Sequence, residues 1–152
     1  MIGSDDSNTG LGTLETLTTT LIDSINGYRD AAENAEGTQF QELFRRNADE
    51  RSRVVEDLRS EIRRLGGNAP DDGSFLGATH QRFLDLKAAV TGRDDKAIIN
   101  EVERGEDYLK EKFELALNSD AAPETRSIIE RAYQSVRQGH DQISSLKHGL
   151  EA

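Results

Sequence analysis

The sequence predicts an all-α protein that folds as a four-helix bundle. Apolar residues recur at spacings of three and four along most of the chain, which is the period of an amphipathic helix. The alternation that marks a β-strand is absent from the sequence, and the two prolines, Pro70 and Pro123, both fall where other signals indicate loops. Four long helical segments and one short one remain between the breaks.

The first two helices form a predicted hairpin. The first is predicted to cover Leu11–Asn34 and the second to extend to about Leu65, with the tight break Glu36-Gly37-Thr38 between them. The pair Gly66-Gly67 is a strong stop signal, because glycine adopts the left-handed conformation of a helix C-terminus without steric cost.

The second half of the chain repeats the pair of helices after a long connection. This connection holds a loop over residues 68–79 and a short helix over residues 80–90. Asp94 is a predicted N-cap for the third long helix, which extends to about Asn118. The last helix starts near Pro123, a residue suited to a first helical turn.

The lengths of the connections predict the topology. Short links within each pair favour antiparallel hairpins, whereas the roughly 27 residues of 66–92 suffice to return along a bundle about 37 Å long. This arrangement is the ferritin-like four-helix bundle with one long crossover that carries a short extra helix.

The composition argues against several classes of function. The formal net charge is −10, and an acidic surface repels nucleic acids and anionic membranes. The absence of cysteine excludes disulfides, thiolate metal sites and cysteine nucleophiles. No apolar run approaches the roughly 20 residues of a membrane span, and the N-terminus lacks the features of a secretory signal. We expect a cytoplasmic protein with a disordered tail at residues 1–10 and one bundle domain at residues 11–150.

Polar side chains interrupt the apolar face of each long helix near its middle. We predict that they form one layer across the bundle, made of Asp23, Asn26, Tyr28, Arg51, Glu103, Glu106 and His140. A carboxylate that faces the interior is costly unless a partner compensates its charge. Arg51 offers a planar fork of donors, so it is the predicted partner of Glu106 or Glu103, with His140 donating to a remaining oxygen.

A di-metal carboxylate site is the alternative interpretation of this layer. Bundles with such sites use Glu-x-x-His pairs on two of their helices. None of the three histidines has a glutamate three residues before it, and Arg137 occupies that position before His140. We therefore expect no cofactor; the alternative is iron or manganese bound by Glu50, Glu103, Glu106 and His140.

Three stretches resemble a known family: residues 65–107 with the motifs GSFLGATH and EVERGED, the segment DSINGYRDAAENA, and HDQISSL. The family is a bacterial ferritin-like four-helix-bundle family of unknown function that is often linked to stress responses. The resemblance covers Leu14 to Leu146 and implies the fold and a stress association, but no reaction. It places the family's recurring polar residues at Asp23, Tyr28, Arg51, His80, Glu103, Glu106 and His140. Asn26 stands where the family often has glutamate, which removes one potential ligand.

His80 begins the predicted crossover helix, where we expect it to anchor the GSFLGAT loop; the alternative is a ligand that reaches the polar layer. Two functions are consistent with these observations. The first is a non-enzymatic, cytoplasmic, stress-associated bundle protein with a structural ion-pair layer, acting as a homo-oligomer, with a dimer favoured. The second is a ferritin-like protein that binds divalent iron or manganese and has weak oxidase activity.

Overall fold

Four long helices pack together into a helical bundle in the computed structural model, which describes residues 2–70, 94–119 and 121–151. The helices are α1 (Ile2–Asn34), α2 (Thr38–Arg64), α3 (Asp95–Leu117) and α4 (Pro123–Glu151). All regular structure in these ranges is helical, which confirms the predicted all-α class.

The helix α1 begins at Ile2 rather than at the predicted Leu11, so helical backbone covers most of the segment 1–10 that was expected as a tail. No proline interrupts this segment, and a helix propagates more easily than it nucleates. The division into a disordered tail at 1–10 and a domain at 11–150 stays a prediction.

Local chemistry explains why α2 and α3 have their observed bounds. Gly66 has φ 84°, and the Gly67 N–H donates to the carbonyl of Ile62 at 2.9 Å, which closes α2 at the predicted glycine pair. The side chain of Asp94 accepts from the Lys96 N–H at 3.0 Å, so Asp94 is the N-cap of α3, as predicted.

Contacts at the two ends of the bundle establish the directions of the helices. The Asp95 carboxylate, at the start of α3, accepts from the backbone N–H groups of Glu36 and Gly37 in the α1–α2 turn, at 2.7 and 2.9 Å. At the other end, Thr125 in the first turn of α4 donates to Glu61 near the end of α2, at 2.9 Å. Each hairpin is therefore antiparallel, and α2 and α3 run in the same direction.

The parallel direction of α2 and α3 is what a single long crossover produces, because α2 ends at one end of the bundle and α3 begins at the other. The predicted crossover helix over residues 80–90 lies outside the described residues. The ferritin-like subtype stays a prediction.

The core lies between the apolar faces that the helical period predicts. On α3 the buried set includes Ile99, Val102, Leu109, Phe113 and Ala116. Each helix packs against two neighbours: α1 and α4 each contact both α2 and α3. Within the described ranges, no helix has the length and apolar character needed to cross a membrane.

Candidate functional site

The buried carboxylate of Glu106 on α3 is the centre of a polar cluster that joins three helices. Arg51 Nη2, from α2, donates to both carboxylate oxygens at 2.7 Å, and the Tyr28 hydroxyl, from α1, donates to Oε1. Arg51 Nη1 also donates to Ser24 Oγ at 2.5 Å. We call Ser24, Tyr28, Arg51 and Glu106 the central cluster. The hydrogen bonds of the central cluster join α1, α2 and α3, so the cluster specifies which helices pack together.

The Arg51–Glu106 pair is almost completely shielded from water. The Arg51 side chain is 2% exposed and that of Glu106 is 0% exposed. The guanidinium carbon lies 5.5 Å from the centroid of the Tyr28 ring, which places the cation beside an aromatic ring and adds an attraction. Arg51 thus has a carboxylate, a hydroxyl and an aromatic ring as partners, which compensate the cost of burying its charge.

The electrostatics of the central cluster hold Arg51 and Tyr28 each in one protonation state. Burial lowers the pKa of Arg51, but the charge of Glu106 and the hydrogen bond to it, together with the influence of Tyr28 and Glu50, outweigh burial and raise the pKa overall, so the guanidinium stays protonated. Burial, together with the Glu106 charge, raises the pKa of Tyr28 well above its ordinary value. The tyrosine therefore stays neutral and serves as a hydrogen-bond donor.

A glycine on α4 completes the central cluster from the fourth helix. A Cβ built on Gly139 would lie 2.6 Å from Arg51 Nη2 and 3.9 Å from Glu106 Oε1. The distance of 2.6 Å to Arg51 Nη2 is far below van der Waals contact, so only glycine lets the backbone of α4 approach the guanidinium this closely. All four helices therefore contribute to the environment of the pair.

Two further residues of the predicted layer, Asp23 and Asn26, lie on α1. Asp23 is buried, one residue before Ser24. Asn26 has a buried Nδ2 atom that has no hydrogen-bond partner in the described part of the chain. Of the seven predicted residues, Tyr28, Arg51 and Glu106 belong to the central cluster as defined above.

Glu103 and His140 lie to the side of the central cluster, between α3 and α4. Glu103 accepts from Lys147 Nζ at 2.8 Å. His140 Nε2 lies 2.6 Å from Asp107 Oδ1, and its Nδ1 lies 3.1 Å from Asp141 Oδ1. His140 therefore binds two aspartates near the surface, not the Glu106 oxygen for which it was predicted.

The four candidate ligands of the metal alternative do not converge. Each of the four is hydrogen-bonded to another side chain. Glu106 accepts from Arg51, and Glu103 accepts from Lys147. His140 is hydrogen-bonded to Asp107, and Glu50 accepts from Arg53 and Ser135. Across residues 2–70, 94–119 and 121–151, no group of three or more His, Cys, Asp or Glu side chains has the geometry to hold a metal ion. These donors do not fit a di-iron or di-manganese centre. His80, the remaining predicted residue, lies outside the described residues.

A second buried carboxylate lies near one end of the bundle. Glu61 on α2 accepts from Arg64 Nε at 2.7 Å, from Arg64 Nη2 at 2.5 Å and from Thr125 Oγ1 at 2.9 Å. The hydrogen bond from Arg64 lowers the pKa of Glu61, although burial opposes this effect. We call Glu61, Arg64 and Thr125 the end cluster; the sequence reasoning did not identify it.

Two residues at the central cluster, Ser24 and Gly139, were not predicted, although the sequence contains a signal for each of them. Ser24 precedes Tyr28 by four residues, so it lies one turn away on the same helical face. Gly139 is a glycine inside a helical pattern, which costs stability relative to alanine and often indicates close packing. Neither signal identifies the partner, because the contact depends on the position of another helix.

The geometry limits the chemistry of the central cluster. Arginine does not lose its proton in proteins, and the tyrosine hydroxyl is already donated to a carboxylate. The carboxylate accepts three hydrogen bonds and is fully buried, so no substrate can contact it in this conformation. The arrangement suits the fixing of helix positions and not proton transfer.

The chain matches a known family over most of its length. The family model described as "Domain of unknown function (DUF2383)" matches residues 11–119. This range includes Ser24, Tyr28, Arg51 and Glu106 but ends before α4, and hence before Gly139. No curated protein matches the chain.

Proposed function

Because the chain belongs to the DUF2383 family, whose function is unknown, we propose its role from the site: it is a non-enzymatic, stress-associated bundle protein with a structural central cluster. The observation that carries this proposal is the buried pair in which Arg51 donates to both oxygens of Glu106 at 2.7 Å. A cation supplied by the chain itself neutralises the carboxylate in the bundle interior.

A buried ion pair of this kind contributes more to specificity than to net stability. The cost of removing two charges from water offsets most of their attraction, but an alternative packing that separates them leaves an uncompensated charge. The Arg51–Glu106 pair therefore favours the one arrangement in which α2 and α3 face each other across the core. The Gly139 contact extends the same constraint to α4.

The stress association is supported by the resemblance of the GSFLGATH and EVERGED segments and not by the geometry. We further propose a cytoplasmic homodimer, since helical hairpins of this class commonly pair through their flanks. Light scattering coupled to size-exclusion chromatography tests this part directly. A dimer mass supports it, and a monomer mass at every concentration contradicts it.

Metal analysis separates the structural role from the iron or manganese alternative. We expect protein purified without chelator to hold far less than one metal per chain, and we expect its melting temperature to stay unchanged when Fe(II) or Mn(II) is added. A ligand that binds only the folded state raises that temperature, so a tight site would be visible.

The double variant Glu50→Ala/Glu103→Ala is the matched control, because it removes two candidate ligands outside the central cluster. The structural role predicts no response to metal in either protein. Stoichiometric metal in the wild type, with a thermal shift that the double variant loses, would replace the structural role with the metal-binding one.

A further inference from the structure

In the part of the chain that the structure describes, Leu115 on α3 is the only large apolar side chain that is exposed, at 59%. It shares one helical face with Tyr108, Glu111 and Lys112, because these residues lie seven, four and three positions before it. Glu111 is exposed as well, and Tyr108 and Lys112 are half-buried. We call these four residues the outer stripe of α3. A single exposed leucine is ordinary on a monomer, so the chemistry of its neighbours decides what this face can do.

The two charges of the outer stripe differ from the other charges around them on α3. Every other charged residue from Glu101 to Glu114 has an oppositely charged or histidine partner within the chain. The pairs are Glu101–Arg104, Glu103–Lys147, Arg51–Glu106, His140–Asp107 and Lys110–Glu114. Among the described residues, Glu111 and Lys112 have no opposite charge within 4.0 Å, and as neighbours in the sequence they do not face each other. This face therefore presents one anion and one cation that can take partners from outside the chain.

The outer stripe borders a groove between α1 and α3. Lys112 and Leu115 line it on one side, and the small residues Gly12, Thr13 and Thr16 of α1 line it on the other. The groove has a volume of about 570 Å³. Because the side chains of α1 are short here, a second helix has room to lie beside the outer stripe.

The order of the four residues is self-complementary under a two-fold rotation. Tyr108 lies three residues before Glu111, and Leu115 lies three residues after Lys112. If a two-fold axis passes between Glu111 and Lys112 at right angles to α3, the α3 helices of two copies run antiparallel. Each Glu111 then faces the second copy's Lys112, and each Tyr108 ring faces the second copy's Leu115. A closed dimer requires a surface of this kind, which matches itself after the rotation.

From these observations we propose that the outer stripe is the surface through which two copies of the chain associate. The inference rests on the homodimer proposed above and names its contact face. Glu111 and Lys112 gain partners of opposite charge, and Leu115 leaves water for an aromatic ring. The stripe supplies both members of each pair, which favours a second copy over a different protein. Two helical turns are small beside the roughly 800 Å² per partner of a stable interface, so we expect a reversible dimer that forms as the concentration rises.

Sedimentation velocity of the full chain over a range of concentrations tests the proposal. We expect the wild type to pass from monomer to dimer as the concentration increases. Glu111→Lys and Lys112→Glu should each weaken the dimer roughly tenfold, because each replaces two attractive contacts by two repulsive ones. Leu115→Ser should weaken it to a similar degree. At a concentration where the wild type is monomeric, this variant should have an unchanged melting temperature, since the side chain is exposed.

Exchange of the two charges gives a sharper test of the antiparallel pairing. The double variant Glu111→Lys/Lys112→Glu should restore the dimer, because each lysine again faces a glutamate. An equimolar mixture of the two single variants should also form a dimer. In that mixture one chain contributes two lysines at these positions and the other contributes two glutamates.

Glu114→Lys is the matched control. It makes the same change of charge three residues further along α3, but Glu114 contacts Lys110 and accepts from Tyr133 on α4, away from the outer stripe. We expect it to leave the dimer intact.

Three results would overturn the proposal in different ways. A wild-type dimer that every single variant leaves unchanged would remove the outer stripe as the contact face while the homodimer stands. Losses that neither the double variant nor the mixture restores would rule out the pairing of Glu111 with Lys112. A wild type that stays monomeric at every concentration would overturn the homodimer and this face together, and would leave the stripe to a different protein.

Discussion

The central cluster and the end cluster both compensate the charge of a buried glutamate, but they do so in different ways. Each holds a buried glutamate that accepts hydrogen bonds from an arginine of α2 and from a hydroxyl on another helix. At the centre the arginine is buried with its partner, whereas the Arg64 side chain at the end is 51% exposed. Arg64 is also a neighbour of Glu61 on the same helix, so their contact forms within one turn.

This difference indicates what each cluster contributes. If Arg64 is removed, water can solvate the Glu61 carboxylate. Because Arg64 and Glu61 lie on the same helix, their contact does not specify which helices pack together. Around Glu106, a lost partner leaves a charge in an apolar interior, and every contact joins different helices. We therefore expect the central cluster to determine the arrangement of the bundle and the end cluster to add a smaller, local contribution.

Replacing the two arginines should give the largest contrast. Arg51→Ala leaves Glu106 buried and unpaired, so we expect the free energy of unfolding to fall by about 3–5 kcal/mol. Arg64→Ala should cause only a small fraction of that loss, because removing the half-exposed Arg64 side chain opens the Glu61 carboxylate to water. Urea denaturation of both variants measures the two values. Similar losses would show that burial does not distinguish the clusters.

The glycine beside the central cluster allows a second test of the same contrast. In Gly139→Ala the new methyl group has to displace a guanidinium that two carboxylate oxygens hold, so we expect a loss of about 1–3 kcal/mol. Gly12→Ala on α1 is the control, because nothing lies within 4 Å of its added Cβ. That variant should gain about 0.5–1 kcal/mol from helix propensity. A rise in the free energy of unfolding for both substitutions would show that the α4 backbone is not in close contact with Arg51.

Within the end cluster, the contact from α4 is the one that joins two helices. Thr125→Val keeps the shape of the side chain and removes the hydrogen bond to Glu61, which still accepts from Arg64. We expect a loss of about 1 kcal/mol, the usual net value of one hydrogen bond. Thermal denaturation is sufficient to detect it. A loss as large as that of Arg51→Ala would place the end cluster on a level with the central one.

His140 should have the smallest effect, and that effect should depend on pH. Burial lowers the pKa of His140, but hydrogen bonds with Asp141 and Asp107 outweigh burial and raise it overall. The stabilisation by the protonated ring is complete below the unfolded pKa of about 6.5 and disappears as the pH rises through the higher folded pKa.

The stability difference between wild type and His140→Gln should therefore be below about 1 kcal/mol near pH 6 and vanish under alkaline conditions. Urea denaturation across that pH range measures it. His148→Gln, at an exposed position on the same helix, is the control. A difference that grows with pH would contradict the raised pKa.

The helical period was sufficient to predict the four long helices and the contact between Arg51 and Glu106. The period indicates which face of each helix is buried. It places the Glu106 carboxylate on the buried face of α3, and a buried carboxylate requires a cation in the interior. The caps were equally local: Asp94 and the glycine pair after Leu65 act within one turn. Predictions of this kind need no knowledge of the neighbouring helices.

The positions that sequence reasoning missed depend on such neighbours. His140 has the spacing of an inward position, yet its ring reaches sideways to Asp107 on α3. Gly139 matters only because Arg51 lies opposite it. Asp95 accepts from backbone groups 58 and 59 residues away in the sequence, which no local pattern indicates. Periodicity determines the face of a helix but not the direction in which a long side chain extends.

A double-mutant cycle on Arg51 and Glu106 tests most directly whether the chain supplies its own buried cation. The free energy of unfolding is measured by urea denaturation for wild type, Arg51→Ala, Glu106→Ala and the double variant. We predict that the double variant loses about 2–3 kcal/mol less than the sum of the two single losses, because the second substitution removes a charge that the first left unpaired. Losses that add to within about 0.5 kcal/mol would show that the two side chains do not neutralise each other.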